Sequence, residues 1–169
     1  MTDSLMRDAF EHHVWASLRL MDVCIELTPE QLETSVPGTY GSILRTMQHL
    51  VGADASYLYV IGGGTFPRID EDSMTLPELR AQMATHAAAW NVVLDGDPDP
   101  GTVLTRHRDD GSSTDAPVGI RLAQVVHHGT DHRSQICTAL TSLGIEPPSI
   151  DVWDFGAQQG TVIEIEPTS

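Results

Sequence analysis

Three histidines have the residue type and the spacing that a metal centre needs. His128 and His132 lie four residues apart in a segment that is predicted to be helical, and this spacing places both imidazoles on one face of a helix, one turn apart. A third histidine, His49, lies in a separate segment that is also predicted to be helical. Three neutral imidazoles that leave part of the coordination sphere open would form a reactive metal site.

The neighbours of these histidines narrow the kind of site. Projection at about 100° per residue places His128 and His132 on the inward face of the last helix and His127 on the opposite, solvent-facing side. A metal ion and hydrogen-bonded core histidines are equally compatible with this spacing. Gly129 stands where a zincin protease needs glutamate, and the chain has no Glu-x-x-His pair of the kind that di-iron bundles use. A mononuclear site is therefore expected.

Four further polar residues are candidates for the same region. His13 and His86 project inward from the first and third predicted helices, and together with His49 they predict a polar substrate pocket in the helical core. Asp54 lies on the inward face of the second helix and is a candidate catalytic proton acceptor. Arg133 is a candidate for orienting an anionic cosubstrate, although an ion pair on the helix surface explains it equally well.

Composition excludes several classes of function. The 169 residues predict one domain, residues 1–169, with a net charge of −15 and an apolar content of 40%. Such an acidic chain is not expected to bind nucleic acid or anionic membranes. All nine basic residues are arginines, so Schiff-base chemistry on a lysine is excluded. The lack of a signal-like N-terminus predicts a cytoplasmic protein, and Cys24 and Cys137 are predicted to be buried free thiols.

Apolar periodicity predicts an all-α fold. It places long amphipathic helices over residues 5–27, 41–61, 76–94 and 118–143. Four such helices predict a four-helix bundle with crossover connections. Residues 102–108 predict a short strand before a turn, which would give a strand pair in the link between the third and fourth long helices, and residues 161–165 predict an edge strand or a loose segment.

The motifs around the histidines resemble those of a known family. Residues 41–50, which end in His49-Leu50, and residues 128–135, His-Gly-Thr-Asp-His-Arg-Ser-Gln, are similar to the second and fourth helices of DinB-like (YfiT-type) metal-binding four-helix bundles. Residues 14–17 and 144–148, followed by Asp151 and Phe155, resemble other parts of the same fold. The sequence departs from the pattern at Ser134, where glycine is common.

The resemblance implies a function as well as a fold. It implies a divalent metal, zinc or nickel, held by His49, His128 and His132 with water in the open positions. It also implies frequent homodimers. Trp153 and Phe155 are expected to be exposed apolar residues and are therefore candidate contact residues. Some members of the family transfer or isomerise small molecules with a low-molecular-weight thiol as cosubstrate.

Three functions follow as hypotheses. The leading one is transfer of a low-molecular-weight thiol to a small electrophile, because a cation stabilises the thiolate near neutral pH. The second is hydrolysis by a metal-activated water. The third is a non-catalytic bundle that binds a small molecule, which a fourth protein ligand such as His13 or His86 would favour, because closed metal sites are usually structural.

Overall fold

The computed structural model describes residues 3–163 and 165, and side chains from residue 5 onward. The described residues are mostly helical and contain a small two-stranded sheet, which agrees with the predicted all-α class. The elements are α1 (Asp3–Cys24), α2 (Pro29–Leu32), α3 (Ile43–Ile61), a 3₁₀ turn (Glu71–Ser73), α4 (Leu76–Asp95), β1 (Val103–His107), β2 (Ser113–Pro117), α5 (Val118–Ser142) and α6 (Val152–Gln158).

The four long helices surround a shared apolar core. Helix α1 packs against α4 and α5, and α3 packs against the same two helices. The largest fully buried apolar side chains come from all four helices and include Leu20, Leu50, Met83, Trp90 and Leu140. Since each helix buries one apolar stripe against two neighbours, polar residues on those stripes are brought into the core.

Side-chain caps fix where the helices begin. The Ser42 side chain accepts a hydrogen bond from the backbone N–H of Arg45. This cap fixes the start of α3 at Ile43, six residues before His49. At the start of α4, the backbone N–H of Thr75 donates to the Glu78 carboxylate at 2.7 Å. Both caps satisfy polar groups that a helix end otherwise leaves open. They set the register in which the inward-facing residues meet.

The predicted strand pair is present between α4 and α5. Strands β1 and β2 pair in antiparallel register, with Leu104 opposite Ala116, and the turn between them contains Gly111 at φ +83°. Arg121 of α5 donates to the carbonyl oxygens of Leu104 and Thr114 at 2.7 and 3.0 Å. These bonds hold the hairpin against the start of α5, next to the histidine-bearing part of α3.

The helix limits differ from the sequence prediction mainly at the two ends of the chain. Helix α1 ends at Cys24 rather than residue 27, because the chain turns there and Thr28 caps the short helix α2. Helix α6 was not predicted, because seven residues are too few to show helical periodicity. Of the two alternatives predicted for residues 161–165, the edge strand is wrong for residues 161–163 and 165, which form no strand and agree with a loose segment. Glu164 lies outside the described residues.

The candidate contact residues of α6 have different environments. Phe155 is buried against Trp15, with ring centroids 5.4 Å apart, so the expectation that it is exposed is wrong. Trp153 is 73% exposed.

The two cysteines are free. Burial raises the pKa of Cys24 to about 12. Cys137 is only half-buried, so the prediction of a buried thiol holds for Cys24 alone. Within the described part of the chain, no helix has the length and apolar character that crossing a membrane requires.

Candidate metal centre

The packing of α3 against α5 brings the three predicted ligands together. His49 projects from α3, and His128 and His132 project from successive turns of α5. The Nε2 atom of His128 lies 3.0 Å from Nε2 of His49 and 3.1 Å from Nε2 of His132. One ligand nitrogen from each of the three residues lies within 4.8 Å of the others. The sequence prediction that these histidines form one cluster is therefore confirmed.

The arrangement of these nitrogens fits a shared cation. A neutral imidazole nitrogen carries either a proton or a lone pair, so Nε2 of His128 can make only one good hydrogen bond of the two contacts it has. A metal ion would accept lone pairs from all three rings. Tetrahedral zinc with bonds of about 2.0–2.1 Å to nitrogen would place its ligand atoms roughly 3.3 Å apart, close to the 3.0 and 3.1 Å that separate Nε2 of His128 from the other two rings.

Hydrogen bonds outside the cluster orient His132. Its Nδ1 lies 3.2 Å from Oε1 of Gln135, and since that oxygen can only accept, Nδ1 carries the proton and Nε2 presents its lone pair to the cluster. Gln135 also accepts from the backbone N–H of Tyr40 at 2.8 Å and donates to Asp131 at 3.3 Å. Asp131 thus acts on His132 only through Gln135.

The loop before α3 closes one side of the cluster. The Tyr40 ring stacks on His49 with centroids 4.1 Å apart and an angle of 10° between the planes. It also meets His132 edge-on at 5.4 Å. This contact fixes the orientation of both rings and shields part of the centre from water.

Burial keeps the candidate ligands in the form that binds metal. It lowers the pKa of His128 to about 4, with His132 and His49 as further causes. The pKa of His49 is also lowered, first by burial and then by His132 and Arg45. Both imidazoles are therefore neutral at neutral pH, as coordination requires.

A second polar cluster lies in the core around Asp54. This carboxylate accepts hydrogen bonds from His13 Nε2 at 3.2 Å, His86 Nδ1 at 2.7 Å and Trp90 Nε1 at 3.0 Å. Its side chain is 2% exposed. Burial alone would raise the pKa of Asp54, but the two histidines outweigh it and hold the pKa well below its usual range. Asp54 is therefore a carboxylate anion at neutral pH.

Arg133, which follows His132 on α5, contacts this cluster through His13. Its guanidinium donates to His13 Nδ1 at 3.0 Å and to Ser17 Oγ at 3.2 Å. Since arginine only donates, His13 Nδ1 is an acceptor and His13 Nε2 carries the proton given to Asp54. Arg133 is 2% exposed, so the alternative of a surface ion pair is wrong. Burial lowers its pKa to about 10, which leaves it charged.

Gly129 makes room for this connection. A Cβ at this position would lie 2.3 Å from His13 Nδ1 and 2.8 Å from Arg133 Nη1. Any larger residue would push the imidazole off α5. The glycine that excludes a zincin motif therefore allows α1 to approach α5 between His128 and His132.

The other predicted histidines lie apart from the candidate ligands. His13 and His86 bind Asp54, and among the described residues the cluster of possible ligand atoms contains only His49, His128 and His132. No fourth protein ligand from His13 or His86 is present there. His127 is exposed, as the helical projection predicted.

A cavity of about 350 Å³ opens beside the centre. Both His49 and His128 line it, together with Ser56 of α3, Glu71 of the 3₁₀ turn and Arg106 of β1. His13 and His86, which were predicted to line a substrate pocket, are not among its lining residues. Ser56, Glu71 and Arg106 were not predicted as site residues. Glu71 and Arg106 were missed because only the folded hairpin and the link before α4 bring them to α3.

Gln135 and Tyr40 were missed for different reasons. Gln135 lies three residues after His132, the spacing of neighbours on one helix face, so the sequence held a signal for it. Tyr40 lies in a loop, where no periodicity places the ring against His49.

Comparison with known proteins identifies the family. The DinB family profile matches residues 1–166, nearly the whole chain. No curated protein matches the sequence. The match includes both helices that carry the three histidines, and on this basis the chain belongs to the DinB family.

Proposed function

We propose that this protein is a metal-dependent enzyme that transfers a low-molecular-weight thiol to a small electrophile. The observation that carries the proposal is the convergence of three imidazole nitrogens beside a cavity of about 350 Å³. Cavities of a few hundred Å³ are typical of small-molecule sites. Three protein ligands with further positions open are typical of catalytic rather than structural zinc.

The donor set also favours a particular chemistry. Zinc or nickel are the proposed metals because the resemblance to the family implies them, and neutral imidazoles suit both, as they also suit iron and copper. When bound, such a cation lowers the pKa of a coordinated thiol and supplies the thiolate near neutral pH. The pKa values of Cys24 and Cys137 are both raised, first of all by burial. The thiol is therefore proposed to come from a cosubstrate rather than from the chain.

The residues around the centre have proposed roles that follow from their contacts. Gln135 and Tyr40 orient His132 and His49. Asp54 was predicted to be a catalytic proton acceptor, but its lowered pKa makes it a weak base, so we propose that it positions His13 and His86 instead. Arg133, held by His13 and Ser17, is proposed to fix α1 against α5 rather than to contact the cosubstrate.

The finer features of the fold belong to the same proposal. The pairwise packing of α1, α3, α4 and α5 supports a YfiT-type four-helix bundle with crossover connections, in one domain over residues 1–169. A homodimer is also proposed, and the exposed Trp153 supports it.

Hydrolysis is the second candidate function. The Glu71 carboxylate lies in the cavity, against the backbone of α3 at Gly52. It has no hydrogen-bond partner in the described part of the chain, so it is available to act as a general base. The non-catalytic alternative has less support, because neither His13 nor His86 completes the metal site.

Turnover with and without thiol distinguishes these functions. Protein loaded with zinc or nickel is mixed with the electrophile monobromobimane and a small thiol, and the fluorescent thioether is followed. We expect a rate above the uncatalysed reaction that rises with thiol concentration and is lost in His128→Ala. The adjacent, exposed His127 gives the matched control, His127→Ala, which should keep the rate. Metal-dependent turnover of an ester that ignores added thiol would favour hydrolysis.

A further inference from the structure

We propose that Arg106 and Ser56 form a carboxylate-binding subsite in the cavity beside the three histidines. The subsite would select small molecules that carry a carboxylate in addition to the group that reaches the metal. This inference rests on the proposed function, because it assigns a substrate class to the same centre.

The main observation is a pair of buried polar atoms without partners. Nε of Arg106 and Oγ of Ser56 are both shielded from solvent and have no hydrogen-bond partner among the described residues. Buried polar groups are nearly always hydrogen-bonded, and an unsatisfied charged group is costly. An arginine guanidinium can only donate hydrogen bonds and a serine hydroxyl can donate as well as accept, so one acceptor in the cavity that both residues line can serve as the partner of both.

Comparison with a second buried arginine nitrogen shows that the whole guanidinium of Arg106 lacks a partner. Nε of Arg121 is also buried and unpartnered. However, its guanidinium already donates through Nη2 to the carbonyl oxygens of Leu104 and Thr114, and Arg121 does not line the cavity. No side-chain hydrogen bond or ion pair holds the Arg106 guanidinium in the described structure.

Ser56 and Arg106 line the same cavity as His49 and His128, so an acceptor bound to them would lie beside the metal centre. Ser56 follows His49 by seven residues on α3, which puts both side chains on one face of the helix, two turns apart. Arg106 reaches the same cavity from β1. A molecule held at His49 and His128 can therefore extend along α3 toward Ser56 and Arg106.

The other charges in the cavity favour a carboxylate over a phosphate. Arg68 is already engaged, since it donates to the carbonyl oxygen of His107 at 3.3 Å and faces Asp109 at 3.7 Å. The carboxylates of Glu71 and Asp109 also line the cavity. One available guanidinium beside two acidic groups tolerates a single negative charge better than a phosphate dianion.

The test measures binding rather than turnover. Protein loaded with cobalt(II) is titrated with mercaptocarboxylates of increasing chain length, from mercaptoacetate to mercaptobutyrate, and with mercaptoalcohols of matching length. The thiolate-to-cobalt absorption band reports the dissociation constant for each thiol. At the best chain length we expect the carboxylate to bind about tenfold more tightly than the alcohol, the effect of one charge-assisted hydrogen bond.

Two variants on the same hairpin separate the subsite from general electrostatics. Arg106→Gln should abolish the preference for the carboxylate while leaving the mercaptoalcohol affinity unchanged. Arg108→Gln removes the same charge two residues away, from a side chain that is exposed and bound to Ser112 and Thr114, and should keep the preference. Ser56→Ala should reduce it in part.

The possible failures have different meanings. If cobalt does not bind, or if no thiol gives the band, the proposed function fails. If every thiol gives the band but carboxylates and alcohols bind equally, or Arg108→Gln acts like Arg106→Gln, the subsite is wrong and the proposed function stands. Stronger competition by inorganic phosphate than by acetate would overturn the assignment of a carboxylate.

Discussion

Replacement of Asp54 by asparagine tests the role of the buried cluster. Asp54→Asn keeps the size of the side chain but removes the charge and replaces one acceptor oxygen by an NH₂ donor. If that NH₂ faces Trp90 and His86, the indole N–H meets another donor. If it faces His13, the imidazole must accept at Nε2 and turn an N–H toward Arg133. Either orientation leaves one buried pair of donors facing each other.

The cost follows from these contacts. A hydrogen bond to a charged group contributes about 1.5–3 kcal/mol, and removing one partner of a buried charge pair typically costs about 3–5 kcal/mol. Asp54 accepts three hydrogen bonds and offsets the buried charge of Arg133. We therefore expect Asp54→Asn to lower the free energy of unfolding by about 3–5 kcal/mol, a large fraction of the roughly 5–15 kcal/mol typical of a domain.

Urea denaturation of the metal-free protein measures this difference. The matched control is Asp95→Asn, the same change at a carboxylate that is 68% exposed and paired with Arg7; its cost should stay within about 1 kcal/mol. Equal effects of the two substitutions would refute the view that Asp54 organises the core. A stable Asp54→Asn protein that loses turnover alone would instead support the catalytic role predicted from the sequence.

Three further predictions follow from other contacts. Gly129→Ala should destabilise the protein by about 1–3 kcal/mol, although alanine is the better helix former by about 1 kcal/mol. The control is Gly52→Ala, whose Cβ meets only the flexible Glu71 side chain and which should be nearly neutral. Thermal unfolding measures both, and a larger loss of stability in Gly52→Ala than in Gly129→Ala would contradict the packing.

The pH dependence comes from His128, whose pKa falls from 6.5 unfolded to about 4 folded. The unfolded state binds the proton more readily, so the stability of metal-free protein should fall as pH drops from 6.5 to about 4; a flat urea midpoint over that range would contradict it. Cys24 should resist iodoacetamide until the protein unfolds and Cys137 should react slowly in the native state, as peptide mass spectrometry would show; rapid native labelling of Cys24 would contradict its burial.

The candidate metal ligands could be predicted because their signal is local. His128 and His132 are neighbours on any helix, whatever it packs against, and His49 was identified by its motif. Helical projection also placed His13, His86 and Asp54 on inward faces correctly. Apart from the motif that identified His49, these statements need only the periodicity of one helix at a time.

The contacts between elements could not be predicted in the same way. Periodicity shows that Asp54 faces inward, but the relative registers of α1, α3 and α4 decide that His13 and His86 meet at its carboxylate. The sequence allows two interpretations of Arg133, a cosubstrate contact and a surface ion pair. The close approach of α1 to α5 at Gly129, which buries Arg133, excludes the surface ion pair. Arg106 was missed because a hairpin, rather than a helix, carries it to the cavity.

Metal content is the most direct test of the three-histidine centre. Protein purified without an affinity tag is dialysed, and elemental analysis gives the bound metal per chain, followed by titration of metal-free protein with zinc. We expect one divalent ion per chain, a large loss in His128→Ala, and full retention in the exposed neighbour His127→Ala. A wild-type chain that binds no metal, or equal loss in the two variants, would contradict the centre.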